Sequence, residues 1–336
     1  MKYSYFEDGL NLIRKITPGR FLNLVKLYAS YYYIRYTGGF LHSGKPFTAS
    51  IEPTTSCNLR CPECPSGLRQ FTRPTGKMSL GLFQQTVDQL SPGLFYLILY
   101  FQGEPFLNPL FFKMVEYAKQ KRIYTATSTN AHFLNDNFAE KTVRSDLDRI
   151  IISLDGTDQD TYEKYRVGGK LDKVIKGIEN LIKWKRELKS ATPYVVMQFI
   201  VFRTNEHQVE DVKALAKLTG VDKLELKSAQ VYDYEEAKDL IPENEKYSRY
   251  KKDSSGNYII DNSLNNHCFR MWRGSVITWD GLVVPCCFDK DATHRLGDLK
   301  KQSFEEIWNS ETYRNFRKKV FSERAGIDIC RNCTEK

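Results

Sequence analysis

A chain of 336 residues, 41% of them hydrophobic, can bury a large core, as one large domain or a large domain with a small one. It has no run of roughly 18 apolar residues, which excludes a helical membrane span, and Arg14, Lys15 and Arg20 break up the apolar start so that no secretory signal is read there. A cytoplasmic protein is expected, in which eight cysteines point to metal binding or catalysis rather than disulfides, and the net charge of +9 suits an anionic partner.

The first 46 residues hold over half of that excess charge. Lys2, Arg14, Lys15, Arg20, Lys26, Arg35 and Lys45 face only Glu7 and Asp8, and Tyr28, Tyr31, Tyr32, Tyr33, Tyr36 and Phe40 are interleaved with them. This extension (1–46) suits peripheral contact with a membrane or another anionic surface. The blander alternative is a helix packed on the body with its lysines in water.

From 47 to 230, short runs rich in Ile, Val, Tyr, Phe and Thr alternate with helical stretches. Strands are predicted at 48–52, 95–101, 124–128, 149–154, 195–202 and 223–227, and helices near 80–90, 110–121, 135–145, 171–189 and 208–218. Leu171, Val174, Ile175, Ile178, Leu181 and Ile182 show the three/four spacing of a helix with one apolar face. Six strands alternating with helices imply an α/β fold with a parallel sheet, naturally closed as a partial (β/α)6 barrel. Residues 231–267 are polar, carry the turn signal Asp253-Ser254-Ser255-Gly256-Asn257, and read as a linker or bridging region. A small module follows at 268–336, with a hairpin over 275–285 turning on Asp280-Gly281 and a helix near 303–318.

The chemistry is concentrated in Cys57-Asn58-Leu59-Arg60-Cys61-Pro62-Glu63-Cys64, just after the first strand. Three thiolates so spaced can hold three irons of a four-iron cluster and leave the fourth open to a ligand. Zinc also takes cysteine ligands. A structural zinc site, however, would want a fourth Cys or His nearby, and none lies between Ser43 and Lys113. His42, His132, His207, His267 and His294 show no metal spacing.

Further motifs follow in order at the strand ends. They are Gln102-Gly103-Glu104-Pro105, Ser128-Thr129-Asn130, Ser153-Leu154-Asp155-Gly156, and Tyr162-Glu163-Lys164-Tyr165-Arg166. With Cys268, twelve residues, Gly281, four residues, Cys286, and the closing Cys330-Arg331-Asn332-Cys333, the chain resembles a radical S-adenosylmethionine (SAM) enzyme with a SPASM/twitch-type auxiliary cluster domain over roughly 47–336.

That resemblance implies a 4Fe–4S cluster on Cys57, Cys61 and Cys64 whose open iron chelates SAM. Reductive cleavage then gives a 5′-deoxyadenosyl radical that takes hydrogen from a substrate C–H bond. It implies that Gly103, Glu104 and Pro105 receive the SAM amino group, that Arg166 faces its carboxylate, and that Ser153, Asn130 and Gln198 line its pocket. One auxiliary 4Fe–4S cluster is implied on Cys268, Cys286, Cys330 and Cys333, with structural zinc as the rival there. A reductant such as flavodoxin or ferredoxin is implied as partner. Two departures stand out. Ala131 replaces a glycine after Asn130, and Glu63 replaces the aromatic or apolar residue expected against adenine, so that it would hydrogen-bond the purine edge or leave adenine to another contact.

Cys287 is left over. It is read either as buried packing or as a hydrogen-atom donor to a substrate radical, with Asp289 and Asp291 as nearby bases or a solvated loop. Relatives with this auxiliary domain modify peptides or oxidise and epimerise sugars and aminoglycosides. The reading favours a peptide or protein substrate undergoing oxidation, cross-linking or epimerisation, with a sugar or aminoglycoside dehydrogenase/epimerase as the alternative. Outside this class stand an iron–sulfur electron carrier and a zinc-containing nucleic-acid-binding protein, the latter suited by the positive charge but not favoured.

Overall fold

A computed structural model describes residues 5–232 and 237–334. The few residues of the extension, the 231–267 stretch and the last module that fall at 1–4, 233–236 and 335–336 lie outside the described residues. Among the described residues eleven strands are defined: β1 Thr48–Ile51, β2 Tyr96–Ile98, β3 Tyr124–Thr129, β4 Arg149–Ser153, β5 Tyr194–Val201, β6 Lys223–Ser228, β7 Tyr250–Lys252, β8 Tyr258–Ile260, β9 Gly274–Ile277, β10 Leu282–Val284 and β11 Gly297–Asp298. The six predicted parallel strands match β1 to β6, and the predicted helices between them are found within a residue or two of their expected ends. The α/β class is thus as expected. The chain forms two compact units.

The first unit contains the described residues of 1–8, 57–70 and 127–262. Its strands β4, β5 and β6 are parallel neighbours, with Ser153 opposite Gln198 and Met197 opposite Leu224. Every residue of β5 but Gln198 and Ile200 is buried, the near-continuous apolar run of a strand covered on both faces. The helix Leu171–Glu187 buries Leu171, Val174, Ile178, Leu181 and Ile182. The stretch read as a bridge contributes a small core of Val231, Ala237, Ile241 and Tyr250. It also contains the β7–β8 hairpin, whose turn is held by Asp253 Oδ1 accepting from the Ser255 and Asn257 amides.

The second unit contains 9–56, 71–126 and the described residues from 263 onward. Its strand order is β11-β10-β9-β1-β2, followed by the first half of β3, Tyr124–Ala126. The predicted hairpin is β9–β10, and β9 lies parallel to β1, so the late module joins the first strand of the parallel sheet. The single helix expected near 303–318 is instead two, Phe304–Asn309 and Glu311–Ser322. Ser310 is extended (ψ 159°) and its Oγ accepts from the Tyr313 amide, which caps a new helix rather than continuing the old one. After β1, Glu52 is fully buried against Arg73 in a bidentate pair (2.6 and 2.8 Å) and accepts from the Trp279 amide.

The basic N-terminal segment forms a helix packed on its unit with Lys26 exposed, as the blander reading has it. Its helix Pro18–Thr37 starts on a Thr17 cap and stops at Gly38 (φ 71°). It buries Leu27, Ser30, Tyr31 and Ile34, but turns a second apolar row outward instead of a wholly polar one.

Candidate functional site

In the first unit, the loop after Ser56 brings the three early cysteines onto one apolar floor. Cys61 is buried among Leu59, Tyr165, Phe202 and Ala229, and Cys57 and Cys64 pack against the same group. The loop closes tightly because the short helix Pro65–Leu68 places Gly67 on Cys61, where a Cβ would lie 2.6 Å from the Cys61 backbone N and O. None of the eight cysteines is in a disulfide. Among the described residues no three His, Cys, Asp or Glu side chains converge on one metal-ion position. Thiolates that each take a different iron of a cluster have no need to converge in that way.

Hydrogen-bond donors surround these sulfurs. The Leu59 amide lies 3.4 Å from Cys57 Sγ, Asn130 Nδ2 lies 3.9 Å from the same atom, and Arg166 Nη1 lies 3.9 Å from Cys61 Sγ. Arg166 is aimed by Asp155, whose Oδ2 accepts from Arg166 Nε at 2.6 Å while Oδ1 accepts from the Ile200 amide at 2.7 Å. Burial works to discharge Arg166, but Asp155 and then Cys61 outweigh it and hold its pKa well above the ordinary value. Burial pushes the Cys61 thiol up, against the pull of Arg166. Three soft donors on an apolar floor beside a fixed cation fit an anionic iron–sulfur cluster.

Asn130 also bonds Asn58 within the cysteine loop (2.8 Å). The following Ala131 adopts φ 65°, so this position keeps the left-handed backbone that glycine would take more easily. Ser153, the last residue of β4, is the register partner of Gln198 in the middle of β5. Glu63 does not face an open edge with both oxygens: its Oε2 accepts from the Tyr232 amide at 2.9 Å.

In the second unit, Gly103 has φ 73°, and a Cβ there would lie 2.4 Å from Thr54 O and 2.7 Å from Ser56 O. Glu104 is buried, its amide donates to Ser56 O (2.8 Å), and its Oε1 accepts from the Phe106 amide as Pro105 opens a short 3-10 turn. The turn is thus tied to the residue preceding Cys57. If this turn receives SAM, as the resemblance implies, Gly103→Ala displaces it and weakens SAM binding at least about tenfold, with the fold retained by circular dichroism. Equilibrium dialysis against labelled SAM checks this.

The late cysteines of the second unit gather about a buried guanidinium. Arg324 is 1% exposed; it donates to Cys333 Sγ (3.4 Å) and to the carbonyls of His267 and Asn265. Burial opposes its charge, but Cys268, Cys333 and Cys330 outweigh that and raise its pKa. Cys286 is held up by burial first, then by Cys287, with Cys268 also in range. The donor set again fits an iron–sulfur cluster.

Cys287 accepts from Arg270 Nη1 (3.2 Å) and lines a cavity of about 150 Å³ with Cys286, Arg270, Arg273 and Tyr100. The two aspartates suggested as bases are occupied. Asp289 is buried and clamps its own loop through Thr293 and the His294 amide, while Asp291 accepts from the Thr72 and Arg73 amides. Sequence reasoning missed Asp155 and Arg324 as supports. Asp155 sat inside a quoted motif; Arg324 had no spacing signal.

Comparison with known proteins agrees with this arrangement. The family model described as the radical SAM superfamily matches residues 51–216, and the SPASM model, described as an iron–sulfur cluster-binding domain, matches 268–334. The chain is 28% identical over 300 residues (80% of this chain, 82% of the relative) to the tungsten-containing aldehyde ferredoxin oxidoreductase cofactor-modifying protein of Pyrococcus furiosus. It is 28% identical over 175 residues to mycofactocin maturase MftC of Mycobacterium ulcerans, spanning 52% of this chain and 45% of that one. Streptococcus suis SuiB bound to precursor peptide SuiA shares the fold, with a TM-score of 0.63 at 14% identity over 93% of this chain and 75% of that one.

Proposed function

Because the chain belongs to the radical SAM superfamily, carries a SPASM domain, and is therefore an enzyme using a 4Fe–4S cluster, SAM and auxiliary iron–sulfur chemistry, we propose that it removes hydrogen from a carbon of a peptide or protein, ending in oxidation, a cross-link or epimerisation. The observation that carries this reading is the three-cysteine loop with Arg166 fixed at its edge by Asp155. The peptide class is favoured by two similar proteins, one named as a maturase and one solved with a precursor peptide.

In this reading the domain plan is an extension (1–46), a catalytic barrel (47–230), a bridging region (231–267) and an auxiliary module (268–336). Cys57, Cys61 and Cys64 hold the catalytic cluster, which when loaded supplies an electron to SAM and so generates the hydrogen-abstracting fragment. Arg166 takes the SAM carboxylate through paired N–H donors. The Gly103–Pro105 turn brings a buried carboxylate to its ammonium. Asn130, Ser153 and Gln198 line the remainder, and the apolar floor excludes water. Cys268, Cys286, Cys330 and Cys333 would hold one auxiliary cluster, and where the outcome is epimerisation Cys287 returns a hydrogen atom to the substrate carbon. A low-potential electron carrier supplies the reductant.

Anaerobic reconstitution and reduction test the reading. The expected result is about eight irons per chain, as two four-iron clusters, with 5′-deoxyadenosine released from SAM. Iron without SAM cleavage indicates an electron carrier, and colourless zinc a binding module; either overturns the proposal. A reaction in deuterated water tests Cys287: product without carbon-bound deuterium removes its donor role.

A further inference from the structure

The helix Pro18–Thr37 is apolar on two opposite faces. One holds the buried Leu27, Tyr31 and Ile34. On the other, Phe21, Val25, Tyr28, Tyr32 and Tyr36 recur at three/four spacing and are 59, 51, 42, 42 and 77% exposed. At the helical repeat these five fall within an arc of about 80° and run about 22 Å along the axis. Tyr28, Tyr32 and Tyr36 form a ladder, with ring centroids 6.4 and 6.0 Å apart. Arg35 adjoins one edge of the row, 6.0 Å from the Tyr36 ring, and Lys26 lies about 80° round the helix from the other edge, beyond the exposed Leu22 and Tyr33. No acidic residue occurs between Asp8 and Glu52. Single exposed apolar residues are ordinary; a continuous row of five is not.

We propose that this face docks the protein on an anionic lipid surface, with the helix lying in the plane of the interface. No described helix is long and apolar enough to cross a membrane, so the attachment is lateral. Aromatic rings on a helix that also carries Lys and Arg match the chemistry of the headgroup boundary. The row is solvent-exposed along the helix, as an interface helix requires, and an acidic peptide, which the cavities beside Lys26 and Arg35 could admit, is an outcome of the test. A second copy would set Lys26 and Arg35 against like charges, with no acid in this segment to answer them. Anionic headgroups supply that counter-charge.

The test uses the full chain and vesicles of phosphatidylglycerol with phosphatidylcholine, against phosphatidylcholine alone. The expected result is co-sedimentation with the anionic vesicles that weakens as salt rises. Lys26→Gln and Arg35→Gln should each lower affinity about fivefold. Phe21→Ser with Val25→Ser should lower it at least about tenfold. Tyr36→Ser, the most exposed of the row, provides a second variant with little bearing on folding. 5′-Deoxyadenosine release should stay unchanged in all of them. Failure to sediment with anionic vesicles, or equal binding to the neutral ones, overturns the proposal. So does self-association that Phe21→Ser with Val25→Ser relieves, which assigns the ridge to a second copy. Capture of polyglutamate in preference to vesicles assigns it to an acidic peptide and overturns it too.

Discussion

Cys61→Ala is expected to halve the iron content, from about eight atoms per chain to about four, and to lower SAM cleavage about a thousandfold or more, because the cluster carries the difficult chemistry. Cys61 is the most buried of the three early thiols, at 5% exposure, and sits at the centre of the floor that Cys57 and Cys64 share. The change removes one small sulfur from that floor, which costs little packing. Loss of iron would therefore reflect lost ligation rather than unfolding, and circular dichroism should stay near wild type. Two controls bracket the result. Cys330→Ala should remove the other half of the iron and leave the signal of the first cluster in electron paramagnetic resonance. Cys287→Ala should leave all the iron in place. A Cys61→Ala protein with full iron and undiminished 5′-deoxyadenosine release would end the assignment.

The sequence revealed the parts of this site that depend on local spacing. Cys57, Cys61 and Cys64 lie within one loop, Gly103 and Asn130 follow strands whose apolar runs mark them, Ser153 ends another, and Arg166 closes the short helix Gln159–Tyr165 after it. Parts set by long-range pairing stayed hidden. β9 adds to β1 in parallel although more than two hundred residues separate them, and no local pattern announces such a pairing. Arg324 reaches Cys333 across a turn with no motif around it. Asp289 and Asp291 looked like free acids because sequence does not show which amides they will accept from. The two-helix ending at Ser310 follows from the serine's competition for backbone bonds, a signal outweighed by the apolar periodicity on either side. The outward face of Pro18–Thr37 was legible as composition but not as direction: both faces are apolar, so periodicity alone could not say which would be buried.

Arg166→Leu is expected to lower stability by about 3–5 kcal/mol, since it leaves a buried carboxylate without its partner. Asp155 is fully buried and the Arg166 side chain is 13% exposed, so water cannot substitute for the lost pair. The same variant should weaken SAM binding at least about tenfold, as one bidentate carboxylate contact is removed. The two losses are separable. In Arg166→Leu with Asp155→Leu no charge is stranded, and much of the stability should return in urea unfolding. SAM affinity, measured by equilibrium dialysis, should not return with it, because nothing in the double variant receives the carboxylate. Arg166→Lys should fall between, keeping the charge and losing the paired geometry. If the double variant recovers SAM affinity together with stability, Arg166 only braces the cysteine loop, and its assignment to the SAM carboxylate is wrong.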